Sequence, residues 1–110
     1  METPRLKQLL NFLEDSPKDA FLTFALAKEY EGMGHEEKAL ETYLQLCEND
    51  PNYVGTYYHL GKLYERQEAF EKAFRTYQRG MKVAKEAGDQ HALSELAGAK
   101  LNLGDDEDFE

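Results

Sequence analysis

Residues 17–50, PKDAFLTFALAKEYEGMGHEEKALETYLQLCEND, align without a gap on residues 51–84, PNYVGTYYHLGKLYERQEAFEKAFRTYQRGMKVA. Ten of the 34 aligned positions are identical: Pro17/Pro51, Leu26/Leu60, Lys28/Lys62, Tyr30/Tyr64, Glu31/Glu65, Glu37/Glu71, Lys38/Lys72, Ala39/Ala73, Thr42/Thr76 and Tyr43/Tyr77. Unrelated segments share far fewer. A period of this length marks units that bury their apolar faces only by stacking on neighbours. It points to a binding scaffold more than to an enzyme.

Working outward from the repeat, the punctuation predicts helices throughout. Thr3-Pro4 is a helix start, because Thr caps and Pro suits the first helical position. Leu6, Leu9, Leu10 and Leu13 then form one apolar stripe. Ser16 or Asp19 opens the next helix, which runs to about Glu31. Gly32-Met33-Gly34 breaks it. Another helix covers about Glu36 to Glu48, and Asn49-Asp50-Pro51-Asn52 repeats the earlier Asp15-Ser16-Pro17 break. The second unit reads the same way: a helix near Tyr53 to Arg66, a turn at Gln67-Glu68, and a helix from about Phe70. Lys85 stands where the period predicts proline, so this helix runs on to Glu86 or Ala87 before Gly88-Asp89. A last helix spans about Asp89 to Leu103, with Leu93, Leu96 and Leu103 on one side. Strand signals are missing: Val is scarce and Ile is absent.

The recurring residues have an order. A large residue beside a small one (Leu26-Ala27, Leu60-Gly61) precedes a tyrosine (Tyr30, Tyr64). An alanine follows (Ala39, Ala73), then a second tyrosine (Tyr43, Tyr77), and Pro51 closes the first unit. Small residues let antiparallel helices approach closely, and the rings fill the space around them. This order resembles the tetratricopeptide repeat, a helix–turn–helix unit of the same length. Thr23 departs from the family's usual Trp, whereas Tyr57 fills that place in the second repeat. Leu46 stands at a late position that is usually small. The resemblance implies an all-α fold, a right-handed superhelix of antiparallel helix pairs. We expect one domain over 1–103: a cap helix at 4–15, repeats at 17–50 and 51–84, and a second cap at 88–103. Residues 104–110 are expected to be a disordered acidic tail.

In this family the first helices of successive repeats line a peptide-binding groove. Carried over position by position, the resemblance implies a groove of Phe21, Phe24 and Lys28 in the first repeat and Tyr58, His59 and Lys62 in the second. Tyr53 falls at their junction. Aromatic rings beside ammonium groups suit a protein or peptide partner carrying acids and apolar side chains. The competing reading is structural: Lys28 with Glu31 and Lys62 with Glu65 are ordinary helix-surface pairs. A clamp for C-terminal carboxylates, as in chaperone-binding members, is not expected, because its places fall on Phe24, Lys28, His59, Asp89 and Leu93.

Charge narrows the partners further. The net charge is −9, and five acids lie in the last six residues; the remainder has 17 acids against 13 bases. Nucleic acid is not an expected partner, since it needs a basic footprint. The tail, with Phe109 among its acids, has the chemistry that a lysine-and-aromatic groove accepts, and its docking there is a second hypothesis. No segment approaches the roughly 20 apolar residues that cross a bilayer, so no membrane role is expected and the default location is cytoplasmic. Cys47 is the single cysteine and is read as a buried thiol. His35, His59 and His91 show no zinc spacing, so neither metal nor cofactor is expected, nor any catalytic residue. The alternative to a scaffold is a homodimer assembled through the cap helices, with Leu93, Leu96 and Leu101 as its surface.

Overall fold

A computed structural model describes residues 2–109. It holds six α-helices: α1 Pro4–Asp15, α2 Ala20–Gly32, α3 Glu36–Asn49, α4 Gly55–Arg66, α5 Phe70–Ala87 and α6 Gln90–Leu103. No strand occurs among the described residues. The helices gather into two compact units, divided between Tyr53 and Val54, close to the repeat boundary at Pro51.

The first unit packs α1 on α2 and α2 on α3. Thr3 caps α1 by accepting from the Leu6 N–H, with Pro4 just inside. Asp19, not Ser16, caps α2 by accepting from the Leu22 N–H at 2.9 Å. The stripe on α1 divides unequally. Leu6 and Leu9 are buried with Ala25 and Leu26, while Leu10 and Leu13 pack at the margin. Arg5 and Thr3 hold α1 to α2 through one carboxylate: Arg5 Nε lies 3.3 Å from Glu29 Oε1, and the Thr3 hydroxyl donates to Glu29 Oε2 at 2.9 Å.

The second unit packs α4 on α5 and α5 on α6. Its short connections turn the chain back on itself, so consecutive helices run antiparallel. α4 begins at Gly55, two residues after the expected start, without a side-chain cap. α5 runs through the missing proline to Ala87, and Gly88 ends it in the left-handed conformation, φ 73°. Asp89 caps α6 by accepting from the Ala92 N–H at 3.0 Å.

The identical residues of the two repeats do the same work in each hairpin. Ala39 and Ala73 are fully buried, as are the rings of Tyr43 and Tyr77. The Tyr43 hydroxyl donates to Glu31, and the Tyr77 hydroxyl donates to Glu65. Lys38 lies over the Tyr30 ring at 5.7 Å and Lys72 over the Tyr64 ring at 5.9 Å. Thr42 and Thr76 each return a hydrogen bond to the carbonyl four residues back, both at 2.7 Å. The repeat thus encodes a hairpin whose two helices are joined by one buried aromatic and one phenol–carboxylate bond.

Two departures from the family pattern complement each other. Gly80 lies against Tyr57: a Cβ added there would meet the Tyr57 Cβ at 2.5 Å. The equivalent positions of the first repeat hold Thr23 and Leu46, a small residue where the second has a ring and a large one where it has glycine. Volume is exchanged between the helices of a pair, which a close-packed interior requires.

The tail differs from expectation. Asp106–Phe109 forms a 3-10 turn. Phe109 stacks on Phe74 of α5, and Lys100 of α6 pairs with Asp106 at 3.2 Å. Composition alone omits these contacts, because the main one joins Phe109 to Phe74, far away in sequence.

Candidate functional site

Helix α2 carries three of the expected groove residues. Phe21 is exposed, at 67%, Phe24 is half-buried and Lys28 is exposed. Their spacing of three and four places them along one face of the helix. Phe24 is fixed from behind by two rings, with centroids 6.2 Å from Tyr43 and 5.6 Å from Tyr53. Lys28 Nζ lies 6.0 Å from the centre of the Phe24 ring. With Arg5 and Glu29 these residues line a hollow of about 390 Å³. That volume lies within the range of small binding clefts. Glu29 is engaged by Arg5 and Thr3, which leaves the hollow with a cationic edge and an aromatic floor.

Tyr53 stands beside that floor as the ring partner of Phe24. Burial, and then the charges of Asp19 and Asp50, push its phenol above the usual tyrosine range. It stays neutral at physiological pH and contributes a ring with a hydroxyl.

Helix α4 repeats part of the arrangement. Lys62 Nζ lies 5.5 Å from the centre of the Tyr58 ring and 3.7 Å from Glu65 Oε2. The ring of His59 meets Tyr58 edge-on at 5.7 Å. Tyr58 and His59 line a second hollow of about 390 Å³, closed by Asp89, His91 and Glu95 at the start of α6. This hollow has a different character. His91 Nε2 lies 3.7 Å from Glu95 Oε2, and the α6 residues bring two carboxylates. No group of three or more metal-ligating side chains occurs among the described residues.

The ring-and-lysine pair expected from the sequence is thus present on both first helices, at (i, i+4). Such a contact is worth about 0.5–1 kcal/mol at an exposed site. In the second unit Glu65 takes both Lys62 and the Tyr77 hydroxyl, so the surface pair and the hairpin bond share one carboxylate. Sequence reasoning read the glutamates as lysine partners and missed that they accept from the tyrosine hydroxyls, although Glu31/Tyr43 and Glu65/Tyr77 recur twelve residues apart in both repeats. It also missed Arg5, which lies outside both repeats, and Glu29, whose counterpart in the second repeat is Leu63, so that neither left a periodic trace.

Other expectations resolve within single units. Cys47 is buried. Leu96 is 1% exposed and Leu93 is half-buried, whereas Leu101 is 73% exposed. The three leucines therefore form no common outer surface, because Leu96 faces the interior. The tail lies on α5 and α6, at Phe74, Arg75 and Lys100, and not on the α4 face that carries Lys62. No helix among the described residues is long and apolar enough to cross a membrane.

Comparison with known proteins agrees with this geometry. A family model described as "TPR repeat" matches residues 27–68, and one described as "Tetratricopeptide repeat" matches residues 54–86. The crystal structure of a tetratricopeptide repeat domain protein from Salinibacter ruber is 49% identical, with a TM-score of 0.75, covering 77% of this chain and 96% of that one. A solution NMR structure of a tetratricopeptide repeat domain protein from the same organism, also 49% identical, has a TM-score of 0.78 and covers 80% and 89%. The solution structure of a Bordetella parapertussis protein, 25% identical, has a TM-score of 0.76 and covers 94% and 89%. No curated protein matches the chain significantly. With its all-helical hairpins, its 34-residue period and these matches, the chain belongs to the tetratricopeptide repeat family, an α-α solenoid class whose repeats generally mediate protein–protein interaction.

Proposed function

We propose that this protein is a non-catalytic adaptor that binds acidic peptide segments with apolar side chains, using the α2 and α4 residues Phe21, Phe24, Lys28, Tyr53, Tyr58, His59 and Lys62. The observation that carries the reading is the recurrence of one device. An aromatic ring with an ammonium group four residues on stands on each first helix, at Phe24–Lys28 and Tyr58–Lys62. A peptide segment binds either of these helix faces by placing a carboxylate at its lysine and an apolar side chain on its ring. Phe21 supports this most directly, since an exposed phenylalanine beside a hollow gains about 1.5–3 kcal/mol on full burial. A cytoplasmic setting, with its reducing conditions, suits the single buried thiol.

Selection of a random peptide library on the full-length protein tests the reading. Enriched sequences are expected to combine Asp or Glu with aromatic or branched apolar residues. Lys28→Glu and Lys62→Glu are each expected to weaken the selected peptides about tenfold, the effect of losing a charge-assisted contact of about 1.4 kcal/mol. Enrichment of basic peptides, or peptides indifferent to both substitutions, refutes the assignment.

A further inference from the structure

The second unit holds a seated peptide of its own. The Phe109 ring stacks on Phe74, with centroids 4.4 Å apart and planes 20° apart. Arg75 donates from Nη2 to the Phe109 carbonyl. Lys100 Nζ lies 3.2 Å from Asp106 Oδ1 and 4.7 Å from the centre of the Phe74 ring. The segment reverses at Gly104, φ 146°, where a Cβ would meet Asp108 Oδ2 at 2.5 Å. The Asp105 N–H then donates to that same Asp108 oxygen at 2.9 Å. A ring, a carboxylate and a main-chain carbonyl of the tail are each met by a complementary group.

The receiving face has no counterpart in the first repeat. Where α5 has Phe74 and Arg75, α3 has Leu40 and Glu41. A glutamate would repel an acidic segment, and leucine offers no flat ring to stack on. Lys100 lies on α6, outside both repeats. The second hairpin thus departs from the first by gaining an aromatic and a cation, and α6 adds a second cation, where an acidic, aromatic segment rests. Phe74 is completely buried, while Arg75 beside it is exposed.

We propose that the face of α5 and α6 bearing Phe74, Arg75 and Lys100 is a second peptide-binding site, for acidic segments of the form Asp-x-x-Phe in a partner protein, and that Asp106–Phe109 is its resident competitor. A partner segment places its acid at Lys100, its ring on Phe74 and its carbonyl at Arg75, each in exchange for the tail's own group. The competitor is joined to α6 by only Gly104 and Asp105, so its local concentration is on the order of millimolar. The site therefore answers only to ligands that are tight or abundant. It uses neither Lys28 nor Lys62 and stands or falls apart from the α2 and α4 surfaces.

The test titrates the full-length Phe109→Ala chain with a synthetic peptide GDDEDFE, followed by amide NMR, after circular dichroism has established that the variant is folded. Saturable shifts centred on Phe74, Arg75 and Lys100 are expected, with affinity about tenfold weaker for the unsubstituted chain, whose slot is filled. The peptide with Ala in place of Phe is expected not to bind, and Arg75→Glu or Lys100→Glu in the Phe109→Ala background is expected to abolish the shifts. The proposal is overturned by absence of saturable binding to Phe109→Ala, by equal affinity for the unsubstituted chain, or by shifts centred on Phe24 or Tyr58.

Discussion

Tyr77 shows how one repeated residue sets a measurable property. Burial, with the hydrogen bond to Glu65, holds its phenol far above the ordinary tyrosine range. The unfolded chain therefore loses this proton first, at about pH 10. The stabilisation from the neutral phenol is complete below that pH and is lost as pH rises above it. Between pH 10 and 11.5 the unfolding free energy is expected to fall by up to about 1.4 kcal/mol per pH unit from this residue. Tyr77→Phe should be about 1 kcal/mol less stable at pH 7 but should decline less steeply in alkali. Urea melts of both proteins at pH 8 and pH 11 check this, and parallel decline would reject the role assigned to the bond. Glu68 makes a second case. It is the single non-glycine residue at positive φ among the described residues, at 59°, and its counterpart in the first repeat is Gly34, at 78°. The strain of a left-handed non-glycine residue, about 1–2 kcal/mol, exceeds the about 1 kcal/mol of extra chain entropy that glycine brings to the unfolded state. Glu68→Gly should therefore raise stability by up to about 1 kcal/mol, read as a higher urea midpoint at unchanged slope.

At the scale of helices, the exchange between Tyr57 and Gly80 makes a prediction of non-additivity. Gly80→Ala gains helix propensity of about 1 kcal/mol but forces a methyl into the Tyr57 side chain and within 3.1 Å of a Leu96 methyl carbon. Overpacking of this kind costs about 1–3 kcal/mol, so the single substitution should be destabilising. In a Tyr57→Gly background, which removes both the Cβ and the ring that the new methyl meets, Gly80→Ala should be clearly less destabilising. A double-mutant cycle is expected to give a coupling of about 1–2 kcal/mol; an additive cycle would show that the two positions do not share volume. Helix existence and order were legible in the sequence, because the period, the caps at Thr3, Asp19 and Asp89, and the glycine breaks all agree locally. The volume exchange was less so: Thr23 and Leu46 read as two separate departures from a pattern, and only their packed equivalents reveal one compensation. The rings and lysines of the candidate surface were legible from their recurrence. Arg5, Glu29 and the Phe74–Phe109 stack were not, since tertiary contact alone brings them together.

For the molecule as a whole, charge governs how the binding experiment must be read. The chain carries −9, and the proposed ligands are acidic. Their attraction to Lys28 or Lys62 is local, while the repulsion is collective and acts beyond the contact. The Lys28→Glu, Lys62→Glu double variant carries −13, so it removes two contacts and adds self-repulsion at once. At about 20 mM salt it should be less stable than the parent by about 1 kcal/mol, because like charges within a Debye length of about 20 Å repel. At about 0.5 M salt the screening length falls to about 4 Å and most of that deficit should vanish. Local contacts do not return with salt. Lys28→Gln, Lys62→Gln, at −11, separates the two effects: if the lysines act by contact, it should lose peptide affinity almost as fully as the glutamate variant while keeping near-parent stability at every salt concentration. Thermal melts and peptide titrations of the three proteins across that range check this. Recovery of peptide binding by the glutamate variant in high salt would mean that global charge, and not the ring-and-lysine pairs, had governed recognition.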